Sequence, residues 1–472
     1  MGRPGHSRRR WPKILLGACL AASCLTRGAA AAPTSPAEAP AFPSPPVAPP
    51  VSDPMLASPP EATRIVASWE EALDWIRAQS PDYSSSSQSV ARAEAQKRVA
   101  LAAVLPVLTG QASYVHQFST LNLVLPTTPP VPLGESPAPD VLTLGASLAW
   151  SVVNPRGLYG LGTADRKIEV ERLSFADRRK VIAQAVVDAM LATLAANRVA
   201  ELNRVGLRSA LERLALTQTR LQYGQGTALD VDRAEQDVEA SRALIIAGDE
   251  ALRRSREALG AALGSPVEVA PPGDLELARF EMAVAKTCRL NDAIEQRPDV
   301  RAARLRVEVA ERGVRDAELL VAPYLTVSSQ ASYATQAVLG PNALWSVQGL
   351  ITVPFYDGGA RYGALRDVRA AVEQARAALV SARLDAVVAS ARAYRAVGVL
   401  ESSRDVARQQ RDLSQRIDLR TRDGYAHGLG TSLDLVTSAQ ALRQAEVNLA
   451  LLEFQVAQAH ADAVLTNAEC TF

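Results

Sequence analysis

The chain is poor in the features that mark a catalytic or nucleic-acid-binding protein. Only 5% of its 472 residues are aromatic, and its four histidines, His6, His116, His427 and His460, are scattered. No glycine-rich phosphate loop follows a strand, and Gly428-Leu429-Gly430 sits between helical stretches, the wrong context for dinucleotide binding. The sequence is therefore read as a non-enzyme that needs no cofactor and no metal. A formal net charge of +1 leaves no concentrated basic surface, which excludes nucleic acid as an expected partner. After Leu25 there is no uninterrupted apolar run of membrane-spanning length, so no transmembrane helix is expected. Cysteine is scarce too. Cys19 and Cys24 lie in the N-terminal segment, while Cys288 and Cys470, 182 positions apart, form neither a disulfide framework nor a metal-ligand spacing. They read as two unrelated thiols, with pairing open in an oxidising compartment.

What the chain does contain is helix-forming sequence and proline in one place. It is 48% hydrophobic and rich in Ala, Leu, Arg, Glu and Gln, a bias towards long helices. Residues 1–31 read as a signal peptide: Arg8, Arg9, Arg10 and Lys13 precede the apolar run Ile14 to Leu25, and small residues follow from Gly28 to Ala32. A lipoprotein signal at Cys19 or Cys24 is the alternative, but Cys19 leaves a short apolar run before it and Ala21 stands where an aliphatic residue is wanted. Residues 32–62 read as a disordered Pro/Ala-rich linker, since 11 of the 29 prolines fall between 33 and 60.

From there the chain is written twice. Ser80-Pro81-Asp82 recurs as Arg297-Pro298-Asp299, and Pro106, Leu108 and Thr109 recur as Pro323, Leu325 and Thr326, all at an offset of 217. Gln111-Ala112-Ser113-Tyr114 returns as Gln330-Ala331-Ser332-Tyr333. Beyond a Pro-rich loop in the first copy, Leu121 to Asp140, the offset falls to 203–204: Asn154 aligns with Asp357, Gly224 with Gly428, Gly226 with Gly430, and Asp230 with Asp434. Self-similarity of this kind sets the architecture before any motif does. The copies span residues 63–272 and 273–472.

Each copy has the same internal order. Two period-two stretches, 107–117 with 142–150 and 324–334 with 345–353, read as a β-hairpin. Their length and pattern suit a strand tilted across a bilayer as well as a soluble hairpin packed on helices. Long helices follow, at 164–222 and 229–263, then 361–422 and 433–467. Between Ala164 and Gln222 there is no proline and Gly206 is the only glycine, while Leu207, Leu211, Leu214 and Leu221 fall on coiled-coil spacing. The expected fold class is mainly α with a membrane β-barrel portion, built from two tandem repeats of a β-hairpin and long coiled-coil helices. Four strands per chain cannot span a membrane alone, because open sheet edges leave backbone groups unpaired in hydrocarbon.

Arg297-Pro298-Asp299, the strand ending Val353-Pro354-Phe355-Tyr356-Asp357-Gly358-Gly359 and the twin helix turns after Gly224 and Gly428 occur in order across both halves. With that set, the chain resembles the outer membrane efflux protein family, the TolC-like channels, over nearly everything from Ser68 to Asn467. The resemblance implies a homotrimeric channel-tunnel, with a twelve-stranded barrel in outer-membrane lipid and a helical cylinder in the periplasm. It implies a passive duct for transported cargo, docked to a periplasmic adaptor (membrane fusion protein) and an inner-membrane transporter. One branch of the family serves drug efflux with RND pumps; another serves type I secretion with ABC transporters. The long Pro-rich N-terminal linker resembles the toxin-exporting members, so export of a protein toxin is the expected function. A multidrug efflux channel and a periplasmic coiled-coil adaptor are the alternatives.

The site residues follow from both kinds of argument. Gly224, Gly226, Gly428 and Gly430 suit a helix reversal that needs φ > 0 and a C-cap, and Thr227 and Thr431 read as N-caps of the returning helices. Asn154, Pro155, Asp357, Gly358 and Gly359 make the strand-to-helix turns. Asp230 and Asp434 fall in the first turn of a returning helix, where a carboxylate is favoured by the helix dipole. The resemblance adds that Asp434 faces the periplasmic aperture, and that Asp230 and Tyr425 belong to the network linking neighbouring helix pairs when the channel is closed. Two departures stand out: Thr437 replaces a second aspartate ring and Gly430 replaces a linking arginine. They imply weaker cation binding and a looser latch.

Overall fold

A computed structural model describes residues 51–472 except 117, 119, 120, 126, 127, 130, 137–139, 274, 291, 292, 336–340 and 471. The signal segment 1–31 and the linker up to residue 50 lie outside the described residues. The first copy opens with β1 (Arg64–Ile65), α1 (Trp69–Gln79) and α2 (Pro81–Ala102). Ser68 and Ser80 cap the two helices, accepting from the N–H groups of Glu71 and Tyr83, and Pro81 occupies the first helical position, where its missing N–H costs nothing. Next come β2 (Val107–Val115), β3 (Leu121–Leu125), β4 (Val131–Ser136) and β5 (Val141–Val153), then α3 (Pro155–Gln222) and α4 (Ala228–Leu263). The first copy closes with β6 (Val269–Ala270), and the second runs α5 (Leu277–Thr287), β7 (Cys288–Leu290), α6 (Pro298–Glu318), β8 (Tyr324–Ala334), β9 (Ala343–Thr352), α7 (Ala360–Ala426), α8 (Ser432–Thr466) and β10 (Ala468–Cys470).

Two details differ from the sequence expectation. Helix α3 starts at residue 155 rather than 164, because Asn154 caps it through Gly157 N (2.8 Å) and Pro155 fixes the first turn. The segment 121–140, expected as a plain loop, contains an antiparallel hairpin of its own, β3 with β4. At 68 residues, α3 reaches about 100 Å at 1.5 Å per residue.

β2, β5, β8 and β9 form one antiparallel sheet in the order β2-β5-β8-β9, so the two hairpins join edge to edge. The register sorts the side chains by chemistry. One face carries Leu108, Tyr114, Leu142, Leu144, Leu148, Trp150, Val327, Tyr333, Trp345, Val347 and Ile351. The opposite face carries Thr109, Gln111, Ser113, Thr143, Ser147, Thr326, Ser328, Gln330, Ser332, Ser346 and Gln348, with Leu344 and Leu350 as its apolar exceptions on β9. Leu108, Trp345 and Ile351 are each about 70% exposed or more, although they lie on the apolar face. A sheet that carries apolar side chains on one uncovered face and mostly polar ones on the other has the pattern of a lipid-facing barrel wall.

The core sits at a waist partway along the long helices. Trp69, Ile76, Met190, Leu191, Leu259, Leu263, Phe280 and Leu465 are all essentially inaccessible there. α3 contains a window long and apolar enough to cross a membrane by composition, half of it buried inside the protein; the segment from Ile182 to Leu194 serves this waist core. Cys288 and Cys470 are joined by a disulfide between paired residues of β7 and β10, both buried. The reading of two unrelated thiols is thus corrected; the pairing of β7 with β10 places the thiols together, a contact that their separation of 182 residues conceals.

The end of the Pro-rich segment is also not free. Residues 53–60 lie as a strap along α3 and α4. Asp53 pairs with Arg242 (2.8 Å), Met55 and Leu56 pack on Leu207, Ala210, Val238 and Ile245, and Arg204 and Arg256 donate to the carbonyls of Ala57 and Pro60 (2.7 Å each). The strap makes a single 3-10 turn, Pro54–Leu56, with Asp53 accepting from Met55 N (2.8 Å), and otherwise docks through carbonyls and apolar side chains.

Candidate functional site

The long helices end in two matching turns. In the first, Gly224 takes φ 69°, and Gln225 N returns to Arg220 O (2.9 Å); in the second, Gly428 takes φ 76° and Leu429 N returns to Gly424 O (2.8 Å). These are the left-handed C-cap positions that glycine adopts without strain. The second glycine of each pair is different. Gly226 has an ordinary φ, and a Cβ there would stand 3.2 Å from Leu221 N, so close approach is what calls for glycine. A Cβ at Gly430 would make only ordinary contacts, at 3.5 Å or more. The expectation of φ > 0 at all four glycines therefore holds at Gly224 and Gly428 alone.

Thr227 and Thr431 form full capping boxes. Each hydroxyl accepts from the N–H of Asp230 or Asp434 (3.3 and 3.2 Å), and each carboxylate accepts from the threonine N–H in return (3.0 and 3.2 Å). From this shared geometry the two aspartates diverge. Asp434 is exposed; its carboxyl is held below the usual range by the Thr431 hydroxyl and N–H, and those are its partners within the chain. Thr437, one turn on, is also exposed and turns its hydroxyl back to Leu433 O (2.8 Å). Asp230 is half-buried and accepts from the Ser432 hydroxyl of the other hairpin, which Arg233 also reaches (3.3 Å). The Ser432 bond is the main cause of Asp230's lowered pKa, and burial opposes it.

Tyr425 is buried, and its ring lies 4.4 Å beneath the guanidinium of Arg220, which also donates to the Tyr425 carbonyl. Burial raises the Tyr425 phenol, Arg220 lowers it, and the nearby Asp230 charge raises it again. So Asp230 and Tyr425 are brought together between the two hairpins, while Asp434 is not. Arg220 is the residue the sequence reading missed. It brings a cation from the last turn of α3 onto Tyr425 of the other hairpin. Its one sequence signal is a basic residue in a helix's last turn, which is ordinary.

At the other end, Asn154 also donates to Ala103 O (3.3 Å). Asp357 accepts from Gly359 N, Arg361 N and Arg361 Nε (3.1, 3.0 and 2.7 Å), while Gly358 and Gly359 take φ 70° and 93°. Phe355 and Tyr356, each nearly 90% exposed, ring this junction between strands and helices, where aromatic side chains anchor a protein at a membrane surface.

The family pattern described as outer membrane efflux protein matches residues 72–265 and 290–463. Nodulation protein T of Rhizobium leguminosarum bv. trifolii is 27% identical over 270 residues, 53% of this chain and 55% of that protein. Pyoverdine export outer membrane protein OpmQ of Pseudomonas putida is 22% identical over 299 residues, 63% and 64% of the two chains. The matched region thus spans less than two thirds of either relative. The outer membrane protein VceC of Vibrio cholerae shares the fold with a TM-score of 0.68 at 17% identity, covering 84% of this chain and 96% of that one. With both repeats matched, the chain belongs to the outer membrane efflux protein family.

Proposed function

We propose that the chain is the exit duct of a type I secretion system, carrying a protein toxin across the outer membrane. Three copies close their four-stranded sheets into one barrel, and the helices form a tunnel that the turns after Tyr223 and Ala426 narrow at its periplasmic end. A periplasmic adaptor docks on that end and an inner-membrane ABC transporter supplies the energy. The observation that carries the duct is the sheet itself, apolar on one face, polar on the other and open at both edges, β2 and β9. Unpaired strand edges are not tolerated in hydrocarbon, so copies must complete the barrel. Toxin as cargo is supported by the likeness of the long Pro-rich N-terminal segment to toxin-exporting members. At the aperture, Asp434 supplies a ring of exposed carboxylates, and Asp230 with Tyr425 braces the two hairpins in the closed state.

The relative named for pyoverdine export favours a second reading, the outer membrane channel of a tripartite efflux pump fed by an RND transporter. The adaptor alternative is set aside, since two long hairpins and a barrel-type sheet belong to the channel family. Deleting the gene separates the two readings that remain. Toxin export predicts that a secreted protein with glycine-rich calcium repeats disappears from the medium while drug susceptibility stays unchanged. Increased drug susceptibility with normal protein secretion would overturn it.

A further inference from the structure

Above the aperture the two hairpins are stitched together a second time. Asp237 of α4 is buried and accepts from Arg213 of α3 (2.5 Å) and from Gln440 of α8 (3.0 Å). One turn higher, Arg443 of α8 donates to the buried hydroxyl of Ser241 (2.7 Å). Arg443 reaches that hydroxyl by crossing α3 at Gly206, where a Cβ would stand 2.7 Å from Arg443 Cδ. Gly206 is the lone glycine of the helical stretch from Ala164 to Gln222, and this crossing gives it a reason. Ser241 lies eleven residues beyond Asp230 on α4, about 16 Å from the aperture turns along the helix axis. The frame on which Arg443 pulls is rigid, because the strap at residues 53–60 holds α3 and α4 through Arg204 and Arg242.

We propose that Arg443, seated over Gly206 against Ser241 and backed by the Gln440–Asp237 bond, is a second lock that limits how far α7 and α8 swing away from α3 and α4. The aperture contacts release first. The hairpins then part only as far as this rung, which is therefore the pivot of the closed-to-open change. Its two acceptors on α4, Asp237 and Ser241, are buried where Asp230 is half-buried, so its release is the step that separates a partly open from a fully open duct. The proposal rests on the aperture reading given above.

The test uses full-length trimers in planar bilayers, with heat-modifiable mobility as the control for assembly. Asp230→Ala alone reports on the aperture reading and is expected to raise single-channel conductance modestly. Arg443→Ala and, separately, Gly206→Ala, which displaces the Arg443 side chain while favouring the helix, are each expected to change the parent channel by less than about 1.5-fold. Combined with Asp230→Ala, each is expected to raise conductance at least about twofold beyond the product of the single effects, the coupling signature of a shared two-state element. Multiplicative behaviour of both variants in assembled trimers overturns the second lock. If Asp230→Ala has no effect while Arg443→Ala opens the channel, the aperture reading falls and takes with it the second lock as a step that follows aperture release. If neither changes conductance, both fall. If Arg443→Ala fails to assemble, Gly206→Ala decides.

Discussion

Asp434 and Asp230 sit at the same position of matching capping boxes, and their neighbours give them different work. Asp230 is engaged by Ser432 across the hairpin boundary, whereas Asp434 keeps an exposed carboxylate. In the proposed duct, three copies of this exposed, ionised carboxylate around the opening would attract cations, multivalent ones most strongly. Asp434→Ala channels are therefore expected to lose cation selectivity and block by multivalent cations, read as the reversal potential under a salt gradient. Unchanged selectivity would remove Asp434 from the pore. Glycine, threonine and aspartate at these turns were legible because capping is a local affair decided within four residues. Arg220 was not legible, because its partner Tyr425 lies 205 positions away, and nothing in the last turn of α3 names it.

At the scale of elements, the α3–α8 contact holds an unusual pair. Gln458 of α8 donates to Asp188 of α3, and Gln184 of α3 donates to Asp462 of α8 (2.9 Å each). Burial raises the pKa of both carboxylates, and the proximity of Asp188 helps push Asp462 up to about 6. A folded-state pKa above the unfolded value means that the native state binds the proton more tightly. The contact is thus stronger at low pH and weakens as pH rises through about 6. A two-unit shift corresponds to about 3 kcal/mol, and solvent screening at this half-exposed site reduces it to about 1–2 kcal/mol. Thermal unfolding is expected to show greater stability at pH 5 than at pH 7.5, and Asp462→Asn is expected to flatten that dependence. A pH profile unchanged by the substitution would sink the idea. The helices themselves were readable from proline-free runs and leucine spacing, whereas the reciprocal Gln–Asp pairing was not, since it depends on which faces of two distant helices meet. The strap was hidden for another reason: proline-rich composition speaks to secondary structure and is silent on docking.

For the whole molecule the decisive property is the sorting of the sheet into two chemistries. Alternation was visible in each strand, but only the register shows that Leu144, Leu148 and Trp150 share a face with Tyr333 and Trp345. Leu148→Arg places a cation in mid-strand on the lipid side, at a cost of about 2–4 kcal/mol per protomer. The variant is expected to lose heat-modifiable trimers from the outer-membrane fraction, while Ser147→Arg on the opposite face is expected to keep them. Equal tolerance of both would contradict the assignment of the faces. The repeat made the two hairpins legible. The need for further copies to pair the open edges β2 and β9 follows from backbone chemistry rather than from any residue.

The waist has a bearing on how such a chain is made. Its core joins Val66 and Trp69 to Leu465 and Cys470, and Phe472 is itself buried, stacked on Tyr83 with its carbonyl held by Arg179 (3.0 Å). A chain delivered N-terminus first can fold α3 and α4 into a hairpin early, because their contacts are local. It cannot finish the waist until Leu465, Cys470 and Phe472 arrive. The Cys288–Cys470 bond therefore closes only after α6, α7 and α8, which lie between the two cysteines, have been delivered, so it ties off a waist whose partners stand about 400 positions apart.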